Sequence, residues 1–317
     1  MNKAILPKVA KPIRYEVKLD INLSNFEYTG FQDVELEIIE ETQSFEVNAI
    51  DIEIVTASLF NEDGEKLDLA FEYMKDLERI SFSANENITV GKYSLQLEFN
   101  STITNDLKGF YKSQFLDLND NVKWIATTQF EPTSARNAFP CWDEPEYKAV
   151  FSIALTSDEK YLRISNEKVL SENKLKDGRV ETLFVDSMKM STYLVAFVIG
   201  ELEVTEVGSV GDTKIRIIHR PGFSHQTSFA GIAGMKILEF FENYYQIPYP
   251  GSKLDLIAIP DFAMGAMENV GAVTFRESLL LIDESKATRQ ELSRSVSVIA
   301  HELAHMWFGD LVTMKWW

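Results

Sequence analysis

From Tyr15 onward the chain alternates apolar and polar residues. Tyr15, Val17, Leu19, Ile21 and Leu23 share one face of this pattern, and Glu16, Lys18, Asp20 and Asn22 share the other. Successive side chains of a strand point to opposite sides, so a period of two predicts a half-buried strand. The alternation returns in residues 33–38, 44–49, 93–100 and 151–156, with Asn61, Glu62, Asp63 and Gly64 supplying turn chemistry between strands. Residues 193–200, YLVAFVIG, form a short apolar run. A membrane span needs roughly 20 such residues, so this run predicts a buried strand instead. Residues 1–204 therefore predict an all-β domain, an antiparallel saddle or sandwich of many short strands.

The texture changes after residue 204. Residues 228–246 have helical spacing, and Pro248 and Pro250 stop the helix. A strand at 254–260 and a segment at 270–278 follow, and then a second long helix. Thr288, Arg289, Gln290 and Glu291 mark its start as a capping box, in which the threonine hydroxyl and the glutamate carboxylate satisfy backbone amides. The helix runs on through HELAHMWF, with Val296, Ile299, Ala300 and Leu303 as its apolar stripe. Residues 205–317 thus predict the start of an α+β domain, and the chain as a whole is α+β.

Composition narrows the function classes. The chain carries 31 Lys and Arg against 49 Asp and Glu, a net charge of −18 with pI near 4.7. Such a surface repels phosphate backbones and anionic lipid, which argues against nucleic acid as a partner. Cys141 is the only cysteine, so no intrachain disulfide forms, and it reads as a packed core thiol. The apolar run at residues 4–6 is too short for the core of a signal peptide, and the expectation is a cytoplasmic protein without membrane insertion. Oligomeric state is not encoded in these patterns.

Candidate chemistry lies at the end of the second helix. His301 and His305 are four apart around Glu302, and residues four apart share a helix face about 6 Å from one another. The pair suits one metal ion, and imidazole ligands favour zinc. Glu302, turned roughly 100° from His301, would lie beside the metal and its water, where it can take a proton. A bare H-E-x-x-H is also compatible with two solvated histidines. Here Leu303, Ala304, Met306, Trp307 and Phe308 predict a buried helix, and buried histidines beside a carboxylate are costly without a metal or hydrogen-bond partners. Catalytic zinc usually takes three protein ligands. His219 and His225, the other histidines, have no supporting spacing and read as surface or turn residues. The aromatic tail, WFGDLVTMKWW, reads as core packing around the helix.

Two further segments carry a resemblance: GAMENVGAVTF at 265–275 and TTQFEPTSARNAFPCWDEPEYKA at 127–149. Together with HELAHMWFGDLVTMKWW they resemble the M1-type gluzincin aminopeptidases, whose signature joins G-x-M-E-N to H-E-x-x-H and, eighteen residues later, a glutamate. The likeness covers essentially the whole chain. It implies an N-terminal β saddle followed by the first part of a thermolysin-like zinc metallopeptidase domain. It also implies one Zn²⁺ on His301 and His305, with the third ligand seven places beyond Trp317, so that the chain is expected to be a piece of a longer protein. The oxyanion-stabilising tyrosine and a helical C-terminal domain would follow in that missing part. By the same likeness Glu302 is the general base. Glu268 receives the substrate's free α-amino group, and Glu131 is a second carboxylate there, with Gln129 as its neighbour. Gly265 and Ala266 align the peptide through their backbone, and Met267 and Asn269 complete the motif. Many members have glutamine and asparagine where this chain has Met306 and Asp310.

The function implied is removal of N-terminal residues from peptides by a zinc aminopeptidase. Physics gives the acids a reason: two carboxylates close one end of the groove and recognise a cationic terminus. At roughly 4 Å and an effective dielectric near 20, each attracts an ammonium by up to about 4 kcal/mol before desolvation. Two alternatives accompany this reading. One is a bifunctional aminopeptidase and epoxide hydrolase, and the other is a non-catalytic peptide-binding fragment.

Overall fold

A computed structural model describes residues 5–317; of the apolar run at 4–6, Ala4 lies outside them. The first strand, Ala10–Asn22, shows why the alternation predicts structure: Tyr15, Val17, Leu19 and Ile21 are all buried, while Lys18 is exposed. This strand lies in a ten-stranded sheet. Its order is Val169–Lys174, Arg179–Phe184, Val150–Asp158, Ala10–Asn22, Glu27–Ile38, Gly91–Thr102, Glu53–Asn61, Lys66–Met74, Arg79–Ile88 and Thr42–Asn48. A second sheet of four strands orders Leu162–Ser165, Phe197–Gly200, Val122–Gln129 and Gly109–Leu116. Aromatic rings fill the core. Tyr15 stacks on Phe151 with centroids 4.9 Å apart, and Phe110, Phe130 and Phe139 each meet Phe197.

Two strand expectations need correction. The first sheet is not wholly antiparallel, because Ala10–Asn22 runs parallel to Val150–Asp158; these segments are far apart in sequence, so no hairpin forces them to oppose. The run at 193–200 is strand only in its second half, after a 3₁₀ turn at Thr192–Leu194. Side chains make this possible. Asn166 donates to the Leu194 carbonyl at 2.7 Å and accepts from the Ala196 amide at 3.0 Å, while Ser165 donates to the Ala196 carbonyl at 2.9 Å. The buried backbone is satisfied without a ladder.

The third sheet orders Glu203–Val210, Thr213–His219, Lys253–Ile259, Ala272–Arg276 and Ala266–Met267. Lys253–Ile259 pairs parallel to both its neighbours and is buried along its whole length, as expected for a strand covered on both faces. Helix α1, Ser228–Tyr245, buries Ala230, Gly234 and Leu238, and the short helix α2, Glu277–Leu280, leads towards helix α3, Arg289–His305. The capping box of α3 forms as its sequence predicts: the Thr288 hydroxyl accepts from the Glu291 amide, and the Thr288 amide donates to the Glu291 carboxylate at 2.8 Å. Ile299 and Leu303 of the predicted stripe are fully buried, but Val296 is exposed and Ala300 half-buried, and Ser295 takes the inner face instead. The buried face is narrower than the stripe because α3 lies at the rim of the sheet.

One buried cation joins the second and third sheets. The Lys253 ammonium donates to the Ser165 carbonyl at 2.9 Å and the Gly271 carbonyl at 2.6 Å, and pairs with Asp255 at 2.8 Å. Asp255 also receives a two-pronged contact from Arg216, both distances 2.7 Å. Burial raises the Asp255 carboxyl, but Lys253 and Arg216 outweigh it and hold the group below its usual range. Its contribution to stability is therefore present above the unfolded carboxylate value and is lost as pH falls through the folded one. Removing one partner of a buried pair costs about 3–5 kcal/mol. Asp255→Asn is expected to lower the unfolding free energy in urea by that amount at neutral pH. The gap between variant and parent should shrink as pH drops below about 3.9, the ordinary aspartate value.

Candidate active site

The segment carrying Glu268 is a tight hairpin at the sheet edge. Ala266 pairs with Phe275 and Met267 with Thr274, and the Arg276 amide donates to the Gly265 carbonyl at 3.0 Å. In an antiparallel ladder, bonded pairs alternate with non-bonded ones. With Gly265 bonded inward, the Ala266 amide and carbonyl face the free edge. Met267 and Asn269 point the other way: Met267 is core, and Asn269 holds the turn through Ala272 and Thr274. Neither lines the cleft. Gly271 closes the hairpin at φ +73°, and a Cβ there would sit 1.9 Å from the Asn166 carbonyl oxygen. Its amide donates to the Tyr249 hydroxyl at 2.9 Å. Glu268 is thereby fixed from several sides, at the mouth of a turn that only glycine can close.

Helix α3 faces this hairpin. The Nε2 atoms of His301 and His305 lie 3.1 Å apart. Two nitrogens bound at 2.0–2.1 Å on a tetrahedral ion stand about 3.3 Å apart, so the imidazoles already approach the required spacing. His305 Nδ1 lies 3.1 Å from the Phe308 carbonyl. A carbonyl only accepts, so Nδ1 carries the proton and Nε2 offers its lone pair. The donor set fits a divalent transition metal on these grounds. One expectation fails: the histidines are not buried, since His301 is exposed and His305 half-buried, while Glu302 is 5% exposed. The helix lies at the rim, and its solvent side carries the imidazoles.

Glu131, Glu268, Glu302, His301 and His305 converge on one cleft of about 480 Å³, with Met264, Gly265, Ala266, Ser297 and Val298. One ring nitrogen of His305 and carboxylate oxygens of Glu268 and Glu302 lie within 4.8 Å of one another. Burial, then Glu268 and Glu131, push the Glu302 carboxyl up to about 8. Glu131 is raised by burial and by Glu268, with His305 opposing. A larger cleft of about 720 Å³ lies beside Lys148 and Lys189, but it has no such convergence of acids and imidazoles. Gln129 is buried outside the lining.

His219 and His225 stay apart from this cleft. His225 is exposed. His219 is fully buried rather than at the surface, because it ends a strand and spends both nitrogens, on Thr205 and the Arg220 carbonyl. Cys141 is a buried thiol. After His305, Met306 and Trp307 enter the core as expected, but Phe308, Trp316 and Trp317 of the tail are exposed, since the chain leaves the helix there and turns along the surface. One further residue of the cleft lining, Ser297, and two buried neighbours of its acids, Tyr193 and Asp310, carry no mark in the motifs. Ser297 lies one turn before His301, so helical periodicity was the available signal. Tyr193 and Asp310 are buried groups raised by burial and by neighbouring acids, Glu268 among them. Asp310 stands out in the sequence only as a departure from the family's usual asparagine, and Tyr193 carries no signal within an apolar run.

Residues 11–194 match the family model described as the peptidase M1 N-terminal domain, and residues 229–317 match the peptidase family M1 domain. The chain belongs to peptidase family M1. It is 40% identical over 314 residues to a puromycin-sensitive aminopeptidase of Caenorhabditis elegans, covering 98% of this chain and 33% of that protein. Human endoplasmic reticulum aminopeptidase 2 is 38% identical over 324 residues, with 98% and 33% covered. Aminopeptidase M1 of Arabidopsis thaliana is 40% identical over 316 residues, with 98% and 36% covered. The chain thus spans about a third of the length of the curated relatives it matches. M1 peptidases are zinc metallopeptidases. Among the described residues no helix is long and apolar enough to cross a membrane.

The hairpin gives a direct test. Gly271→Ala forces backbone out of the way at a left-handed position, and is expected to cost on the order of 3 kcal/mol or more in urea unfolding.

Proposed function

We propose that this chain forms the amino-terminal part of a zinc aminopeptidase that removes single residues from peptides with a free N-terminus. The observation that carries this reading is the meeting of Glu268 and Glu131, from distant segments, with the His301 and His305 imidazoles in one cleft. His301 and His305 would hold the ion through Nε2. When bound, zinc supplies a Lewis acid that polarises the scissile carbonyl and acidifies water.

The chain's own residues supply the rest. Glu268 and Glu131 hold the substrate ammonium and, by filling one end of the cleft, fix the cut after the first residue. The free edge at Ala266 aligns the peptide backbone as an added strand. Glu302 takes a proton from the attacking water and delivers it to the leaving nitrogen as the C–N bond breaks, so an amino acid and a shortened peptide leave without a covalent intermediate. Positive charge at the imidazole pair favours the ionised form of Glu302 that this role requires. We further propose that the functional division falls near residue 204, and that the protein acts in the cytoplasm, on the ground that the one cysteine of this chain is a buried free thiol, as suits a reducing compartment; cofractionation with endoplasmic reticulum would overturn that location.

Measurements on the full-length protein test this. Aminoacyl chromogenic substrates should be turned over and their N-acetylated forms should not; equal turnover of both removes the exopeptidase reading. Glu302→Gln should lower kcat by about 10²–10⁴, whereas Glu268→Gln should act mainly on kcat/KM by roughly 10 to 100-fold, the worth of a charge-assisted hydrogen bond. Chelation should abolish activity and zinc restore it. His301→Ala or His305→Ala should weaken zinc binding by more than the roughly 100-fold attributed to supporting residues.

A further inference from the structure

The chain after α3 folds back on the helix and braces one of its histidines. The amides of Asp310, Leu311 and Val312 donate to the carbonyls of His305, Met306 and Trp307, and the Gly309 amide donates to the Val312 carbonyl at 2.9 Å. This brings the Phe308 carbonyl to His305 Nδ1. Gly309 has φ +144°, and a Cβ on it would lie 3.2 Å from that same Nδ1. Its carbonyl receives two hydroxyls: Thr313 Oγ1 at 2.5 Å, and the Tyr193 hydroxyl at 3.1 Å. Tyr193 comes from the β portion of the chain, from the 3₁₀ turn at Thr192–Leu194, and is almost completely buried.

His305 Nδ1 has a rival acceptor. The nearer Glu268 carboxylate oxygen is 3.8 Å away, against 3.1 Å for the Phe308 carbonyl. A ring rotation towards Glu268 takes Nε2 off the line it shares with His301 Nε2. The carbonyl of Phe308 holds the ring only while the turn that presents it stays in place.

We propose that Tyr193, acting with Thr313 through Gly309, is a positioning residue for the His305 imidazole. The β portion of the chain would thereby set the zinc affinity of a site it does not itself ligate. This rests on the zinc reading above. Tyr193→Phe keeps the ring and its packing and removes only the hydroxyl; adding Thr313→Val removes the second donor to the Gly309 carbonyl.

The test uses the full-length protein, zinc titrated against a chromogenic chelator, and the absorption spectrum of the cobalt-substituted form. Tyr193→Phe is expected to weaken zinc binding roughly tenfold, and the double variant more, within the 10–100-fold range typical of groups that support ligands. The cobalt bands should shift with the ligand geometry, while the urea midpoint of the zinc-free Tyr193→Phe protein falls only slightly, since Thr313 still donates to the Gly309 carbonyl. Tyr244→Phe, on an exposed ring of α1, should leave all three readings unchanged. Parent-like zinc affinity and cobalt spectrum in both Tyr193 variants would overturn this proposal alone. A parent protein that takes up no zinc would overturn it together with the zinc reading.

Discussion

Three carboxylates, Glu131, Glu268 and Glu302, share one cleft that no lysine or arginine lines among the described residues. Like charges held this close in a partly dehydrated space cannot all ionise without a compensating cation. Burial raises the Glu302 carboxyl most, and the charges of Glu268 and Glu131 raise it further. A cation bound here would relieve this repulsion close to the acids themselves, since Glu268, Glu302 and His305 offer ligand atoms within 4.8 Å of one another. The chemistry of this chain follows from that demand more than from any single residue.

Holding the acids in place is the work of the scaffold. Glu268 sits on a hairpin pinned by Gly271, Tyr249 and Asn166, and the Gly271 carbonyl rests in turn on the buried Lys253 ammonium. Lys253 also bonds Ser165, so the second and third sheets meet at one charge. A site assembled from residues 131, 268 and 302 needs such a link, because no local structure spans those positions.

Local physics was legible in the sequence, and distant contacts were not. The alternation from Tyr15 to Ile21, the capping box at Thr288 and the helix bearing His301 and His305 follow from periodicity and caps, and they stand in the fold. The parallel pairing of Ala10–Asn22 with Val150–Asp158 leaves no local trace, nor does the 3₁₀ turn at Thr192–Leu194, whose carbonyls are satisfied by Asn166 and Ser165 from another segment. In the site, the motifs marked Glu268, Glu302 and the imidazoles. Exposure of His301 was misjudged because its neighbours in sequence are apolar, whereas the helix lies at a rim. Tyr193 and Asp310 gain their surroundings only when the β portion closes over the turn after α3.

The strand that borders the cleft, Ala266–Met267, is two residues long. A ladder so short presents a single outward amide and carbonyl before the chain turns away, so a docked chain would find main-chain bonding for about one residue and none thereafter. Segments farther along would gain no register from this edge, so whatever orients them must be supplied by surfaces other than this strand.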